Sequence, residues 1–435
     1  MSIDPRADAA LDAAAEVIDD VVVEAEVRSE PVAAVMPPDE STSWADGTTH
    51  EVSAEYLLGC DGSSGVSRTS IGVRYQGSSG KVPNLSITFR SWALEERELC
   101  ALGVHYWVIG AKSGGLMGRL DLDGTWWAIV QGIDDDVADV DAVALVRSLV
   151  GDDIDVEVLA TDPWSARMLL VDRYRGQRVF LVGDAAHLNP PWGGHGFNTC
   201  VGDAVNLGWK LAAVLHGWAP NSLLDSYEAE RRPVAQRTIA AAGGQEAFLA
   251  PSFAAAELDA DGPAGKALRA EVAQALQVKD PEFHSLGLVL GYDYPSSPVV
   301  APEAPPAPEQ PVNTFVPSAH PGARLPHVWL PDGTSVYDLL GEDFTLVRLG
   351  PSADVNAVSA AAARLGVPLR VLDLVHLPRL RTLYEADLLL VRPDQHVAWR
   401  GSATPDPIGL LRTVIGAEEP NVAAPAPSPL EEIAR

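Results

Sequence analysis

The spacing of apolar positions changes rhythm several times along the chain, and each change predicts a different kind of element. Residues 5–19 mix alanine with acidic side chains and read as a weak helix, whereas Val21–Val27 and Val32–Met36 carry the two-residue alternation of strands. Ala45-Asp46-Gly47 predicts a turn and Thr48–Leu58 the returning strand. That strand runs into Gly59-Cys60-Asp61-Gly62, where glycine lets the chain leave the sheet abruptly. Between 82 and 170 the apolar runs are short: Leu85–Phe89, His105–Ile109, Leu116–Leu122 and Thr125–Val130. They are divided by Lys112-Ser113-Gly114-Gly115 and Asp121–Gly124, the texture of an antiparallel sheet, and Asp141–Val150 then reads as a helix.

Arg178–Val182 predicts a buried strand that empties into a glycine-rich stretch, 183–198. Phe197-Asn198-Thr199 opens a long helix to about Gly217, followed by helices over Leu223–Ala242 and 254–279. Trp209, Leu211 and Val214 lie on its core-facing side. The prolines of 295–322 predict an extended linker rather than a core element. Beyond them Phe344–Leu349, Asp354–Leu365, Leu369–Leu372, Leu388–Val391 and Ile408–Ile415 alternate strand and helix signals, a compact α/β domain. The last twenty or so residues, rich in alanine, proline and glutamate, read as disordered.

Length and charge narrow the classes of function. The 435 residues suffice for two or three domains, and 47% hydrophobic with 21% charged side chains is the balance of a soluble globular chain. A net charge of −29, from 31 basic and 60 acidic residues, argues against nucleic-acid binding and favours small neutral or aromatic ligands. Cys60, Cys100 and Cys200 are too scattered for a disulfide framework or a metal site. With no signal-peptide plan and no run long enough for a membrane helix, the expectation is a cytoplasmic protein that engages neither membrane nor metal.

The chemistry concentrates in Gly183–Leu215, GDAAHLNPPWGGHGFNTCVGDAVNLGWKLAAVL. Asp184 sits at the carboxyl end of a strand, the ligand side of an open α/β sheet, and an ionised carboxylate there accepts hydrogen bonds from ribityl or sugar hydroxyls. Pro190-Pro191 stiffens the turn, and Gly193, Gly194 and Gly196 let main chain approach a flat ring. The first amides of the following helix, around Phe197 and Asn198, are unpaired and carry partial positive charge, suited to the electron-rich edge of a reduced flavin. His195 reads either as part of this cofactor surface or as a turn residue, and His187 as a structural hydrogen-bonder.

The whole ordered string resembles the second flavin-binding motif of the class A flavoprotein monooxygenases, the para-hydroxybenzoate-hydroxylase-like family. The continuation Asp225-Ser226-Tyr227-Glu228 … Glu230-Arg231-Arg232-Pro233-Val234-Ala235 is similar to its phenol- and polyketide-hydroxylating branch. The resemblance implies that Asp184 binds the ribityl chain, that Pro191 lies against the flavin ring, and that Gly196 to Asn198 reach its pyrimidine edge. Cys60-Asp61-Gly62-Ser63-Ser64-Gly65-Val66-Ser67-Arg68 resembles the family's D-G motif near the flavin pyrophosphate and the nicotinamide path. Asp61 and Arg68 hold the expected positions, while Gly65 stands where a serine is usual. Leu325–Leu330, Asp332-Gly333 and Leu389–Trp399 resemble the branch's thioredoxin-like extension, whose lack of cysteine here excludes thiol–disulfide exchange. The family's opening G-x-G-x-x-G has no counterpart; the lone G-x-G is Gly194-His195-Gly196.

The expected architecture is a multidomain α/β and α+β protein. A partial FAD-binding domain with the D-G motif, lacking its first βαβ unit, spans 1–75, an antiparallel-sheet substrate domain 76–172, and the FAD-binding continuation 173–294. The linker spans 295–322, a thioredoxin-like domain 323–416 and the tail 417–435. The resemblance implies a monooxygenase using FAD, NAD(P)H and O2 on a phenolic or polyketide-type aromatic substrate. Trp107, Trp126 and Trp127 are candidates to line the substrate, and no catalytic base is assigned. A homodimer, or a separate chain supplying the missing unit, is the expected partner arrangement. The alternative is a non-catalytic relative or partner subunit.

Overall fold

A computed structural model describes residues 54–417 apart from 96–102, 104, 110–113, 134–139 and 245–255. The elements expected before residue 54, the 45–47 turn and the tail expected over 417–435 lie outside the described residues, except Ala417. The chain separates into two units, Met1–Cys200 with Ala242–Ala275, and Val201–Ala241 with Leu276–Arg435. The sequence grouped 173–294 together; the structure instead counts helices between 201 and 241 with the C-terminal unit, because their apolar faces join its core.

In the first unit, strands β1 (Leu57–Gly59), β8 (Val179–Leu181) and β7 (Arg175–Gly176) form a small sheet in the order β1-β8-β7. β1 and β8 run parallel, with Leu58 opposite Phe180, so both deliver their carboxyl ends to the same edge. The D-G turn leaves β1 there, followed by helix α1 (Val66–Ser70), and the glycine-rich turn leaves β8.

The second sheet follows the order β3-β4-β5-β2-β6-β9 and is antiparallel throughout, as the short apolar runs predicted. β2 (Tyr75–Arg90) and β6 (Glu157–Val171) pair along most of their length. β3 (His105–Val108), β4 (Gly115–Arg119) and β5 (Thr125–Gln131) extend one side, and β9 (His187–Leu188) the other. Alternation sends Leu85, Ile87, Phe89, Met117, Trp126 and Ala128 to one face, where they pack with Val146 and Leu149 of helix α2 (Ala142–Val150). Asp141 caps α2 by accepting from the Ala144 amide at 3.0 Å, and Gly151, at φ 76°, ends it. The helix expected over 254–279 is realised as Pro263–Ala275 between two 3-10 turns.

Helix α3 (His195–Leu215) begins in the first unit, and helix α4 (Ser226–Gly243) follows. The C-terminal unit holds a sheet of order β11-β10-β12-β13, namely Leu369–Asp373, Phe344–Arg348, Leu388–Val391 and Val397–Gly401. β10 and β11 are parallel and the rest antiparallel, with helices α5 (Asn356–Leu365) and α6 (Pro407–Val414) alongside, a thioredoxin-like arrangement. Ala213, Leu223, Val299, Phe344, Leu390 and Leu411 share its core. The proline-rich stretch is therefore not a free linker. Val299 is fully buried, the Ala301 amide donates to the Ala398 carbonyl at 2.9 Å, and Arg400 is paired with Glu303 at 2.7 Å. Proline removes donors and fixes φ, but the valines and alanines between the prolines still bury apolar surface.

The same unit encloses a charged network. Arg392 donates through both terminal nitrogens to Glu230, at 2.6 and 2.8 Å, and through Nη2 to Asp394 at 2.6 Å. Lys210 donates to Glu230 at 2.6 Å, Ser297 to the same carboxylate at 2.5 Å, and Arg231 Nε to Asp203 at 2.8 Å. The three cations thus face three carboxylates, all buried. Burial pushes Lys210 down to about 8 against the pull of Glu230, while Arg392 and Lys210 overcome burial to hold Glu230 far below the usual carboxylate range. Among the described residues no helix is long and apolar enough to cross a membrane.

Candidate active site

The two turns at the carboxyl edge of β1 and β8 bring together residues more than a hundred positions apart. Asp61 accepts from the Ser67 amide at 2.8 Å and from its hydroxyl at 2.5 Å, fastening the start of α1. Against the burial that would raise it, these bonds hold the Asp61 carboxyl below its ordinary range. Arg68, on α1, donates to the Ser63 carbonyl at 3.3 Å and lies over the Tyr75 ring, 4.2 Å from its centre. The Tyr75 hydroxyl in turn donates to the main-chain carbonyl of Asp184. The Asp184 carboxylate is exposed, with Cys200 Sγ 3.5 Å from its Oδ1.

The glycine-rich turn stays open. Gly193 and Gly194 adopt φ of 79° and 65°, which side chains rarely tolerate. A Cβ placed on Gly194 would meet nothing within 4 Å, and one on Gly196 would touch only Asn189 Cβ, at 4.0 Å. No bulky side chain fills the space beside these two positions, so main chain is accessible to a flat ring. Nearby, the amide nitrogen and oxygen of Asn189 are shielded from solvent and have no hydrogen-bond partner among the described residues. Pro191 and Asn198 are exposed and Phe197 is 78% exposed, whereas His195 is buried. An open cradle of glycine, an outward carboxylate and unpartnered amide atoms together fit a flavin.

Helix α3 begins at His195, two residues earlier than expected from Phe197-Asn198-Thr199. His195 is thus a helical residue rather than a turn residue, and its burial lowers its pKa. With the helix starting at His195, the amides of its first three residues, His195 to Phe197, have no acceptor within the helix. Asn198 Nδ2 donates to the Gly194 carbonyl at 3.0 Å and Thr199 Oγ1 to the His195 carbonyl at 2.8 Å, which fixes this first turn. His187, on β9, is fully buried and stacked on Tyr174, a structural position.

The three candidate tryptophans separate. Trp126 is 0% exposed in the core beneath α2, with Arg119 over its ring, and so is removed from any ligand-facing surface. Adjacent strand residues point to opposite faces, and Trp127 therefore lies on the other side. The register sets Trp107 opposite Leu116, two positions from the Gly118–Trp127 pair, on the face that α2 leaves uncovered. His105 bridges the two indoles, 6.3 Å from Trp107 and 6.2 Å from Trp127 between ring centres. The glycine-rich turn reaches the second sheet through Trp192, whose ring centre is 6.3 Å from that of Trp164; Trp164 donates to Ser86 at 2.8 Å.

Sequence reasoning passed over Tyr75, Ser67, Asn189, Trp164 and Trp192. Trp192 was signalled by standing between Pro191 and Gly193, inside the motif itself. Tyr75 carried no local signal, since its partner is 109 positions away.

Comparison with known proteins agrees with this geometry. An FAD-binding domain family matches residues 4–242, and the C-terminal domain of aromatic-ring hydroxylases matches residues 318–417. The chain is 36% identical over 395 residues to 4-methyl-5-nitrocatechol 5-monooxygenase of a Burkholderia species, covering 82% of this chain and 66% of that protein. It is 32% identical over 388 residues to the FAD-dependent monooxygenase apdD of Emericella nidulans, covering 82% and 62%. The structure of the rebeccamycin biosynthetic enzyme RebC with reduced flavin superposes with a TM-score of 0.77 at 38% identity, covering 86% of this chain and 70% of that one. The chain thus spans less than two thirds of the length of both curated relatives. Its two family matches, read with the open glycine turn and the D-G motif beside the Gly183-Asp184 turn, make it a member of the FAD-binding aromatic-ring hydroxylase family.

Proposed function

We propose that this protein is an FAD-dependent monooxygenase that hydroxylates a phenolic or polyketide-type aromatic substrate with NAD(P)H and O2. The observation that carries the reading is the unfilled main-chain surface at Gly194 and Gly196, bordered by the exposed Asp184 carboxylate and the first amides of α3. The names of the two curated relatives, both monooxygenases, favour it over a non-catalytic role.

The chemistry supplied by FAD when bound is reduction by NAD(P)H and transfer of one atom of O2 to the ring, the other leaving as water. The residues of this chain bind, orient and polarise. Asp184 would accept hydrogen bonds from ribityl hydroxyls, and Pro191 with Gly193 and Gly194 would support the ring. The amides from Gly196 to Asn198 would serve its pyrimidine edge, where the positive end of α3 would stabilise negative charge. Asp61 and Arg68 would hold the pyrophosphate side. Trp107 and Trp127, with His105 between them, present aromatic surface to the substrate. No side chain is assigned as a general base.

The test is to measure FAD bound by the purified chain, and then NAD(P)H oxidation and hydroxylated product with a panel of phenols. Flavin binding with phenol-dependent product formation is expected. Trp127→Ala should raise KM about tenfold, the scale of one lost aromatic contact. A colourless protein without affinity for FAD would sink the proposal.

A further inference from the structure

We infer that Tyr75 is a positioning residue for the flavin, holding the Asp184 turn in place through its hydroxyl. The inference rests on the function proposed above and adds a residue that neither motif contains. Tyr75 opens β2, one of the two central strands of the antiparallel sheet, opposite Val171 of β6, yet its hydroxyl reaches across to the turn that follows β8. It donates to the Asp184 carbonyl, the main chain of the residue whose carboxylate faces outward.

The ring itself is held. Arg68 lies 4.2 Å from its centre, and Arg68 belongs to a helix fastened by the two Asp61–Ser67 hydrogen bonds. Contacts therefore run without interruption from Asp61 through α1, Arg68 and Tyr75 to Asp184, joining the D-G motif to the second flavin-binding motif. On the far side Cys200 Sγ sits 3.5 Å from Asp184 Oδ1. Burial pushes the Tyr75 phenol up, so the group stays protonated and remains a donor across the working pH range. A carbonyl that accepts one fixed donor cannot rotate freely, and the carboxylate on the same residue inherits that restraint.

Tyr75→Phe keeps the ring under Arg68 and deletes only the hydrogen bond. In the full chain its FAD dissociation constant, measured by quenching of flavin fluorescence, should rise about fivefold, the worth of one net hydrogen bond. In an Asp184→Ala background the same exchange should change the constant by less than about 1.5-fold, because the carboxylate being positioned is gone. Amide hydrogen exchange over 183–187 in the flavin-free protein should accelerate in Tyr75→Phe. A purely structural tyrosine would instead lower Tm and weaken FAD binding equally in both backgrounds, which would overturn the inference. So would an unchanged dissociation constant with unchanged exchange. If the parent chain binds no FAD, the proposed function falls and takes this inference with it; if the parent binds and Tyr75→Phe binds equally well, the inference alone falls.

Discussion

The glycine-rich turn and the charged network of the C-terminal unit handle polar groups in opposite ways, although α3 contributes to both. Its first turn begins beside the open positions of Gly194 and Gly196, with main-chain amides that have no acceptor within the helix. Its later turns carry Asp203, Asn206 and Lys210, whose polar atoms are buried and matched to Arg231 and to Glu230, which Arg392 holds in turn. A buried ion survives only if its partners are complete, because desolvation would otherwise exceed the attraction. A ligand-binding surface needs the reverse, donors left unpaired and preorganised for a guest. The network stabilises with side chains; on the function proposed, the turn would recognise with backbone.

Three changes would break or sharpen that contrast. Arg392→Met should have the largest effect. It leaves Glu230 and Asp394 buried without their shared guanidinium, and urea unfolding should register a loss of about 3–5 kcal/mol. A loss under about 1 kcal/mol would mean the network is not a closed unit.

Gly196→Val should do the opposite, sparing the fold and harming recognition. The position is helical, with ordinary φ and free space at Cβ, so stability should stay within about 0.5 kcal/mol. Titration should show FAD affinity falling about tenfold, or about 1.4 kcal/mol. Equal affinity would show that the ring does not lie there.

His195→Gln should give the smallest change, visible only in pH dependence. Burial depresses the imidazole pKa in the folded state, so the unfolded chain takes up its proton first as pH falls. Stability from this group is therefore complete above the ordinary histidine value of 6.5 and declines as pH drops from there through the folded value. The variant should lose that part of the slope when unfolding is followed between those limits.

Much of this was legible from periodicity. The strands containing Leu85–Phe89 and Thr125–Val130 announced themselves by alternation, and α2 by its apolar spacing, because each buries one face locally. The same alternation separates Trp126 from Trp127, since neighbours on a strand cannot share a face. Other features were hidden. Glycines around His195 read as a turn and masked two residues of helix. Prolines around Val299 suggested a linker because composition does not reveal which few valines find a core. Glu230 and Arg231 were noticed as a family pattern, but their partners Arg392 and Tyr294 come from remote sequence, and only the fold supplies them.

The D-G turn carries a consequence for reading relatives of this protein. A comparison by column would score Gly65 as a defect, for a serine is usual there. Yet a Cβ at Gly65 would lie 2.1 Å from Asp61 Cγ, in the space the carboxylate occupies, while Ser67 supplies the hydroxyl and amide that hold it. The two positions form one exchangeable unit. Sequences should therefore vary there in concert, and restoring the consensus serine alone would displace the aspartate it was meant to support.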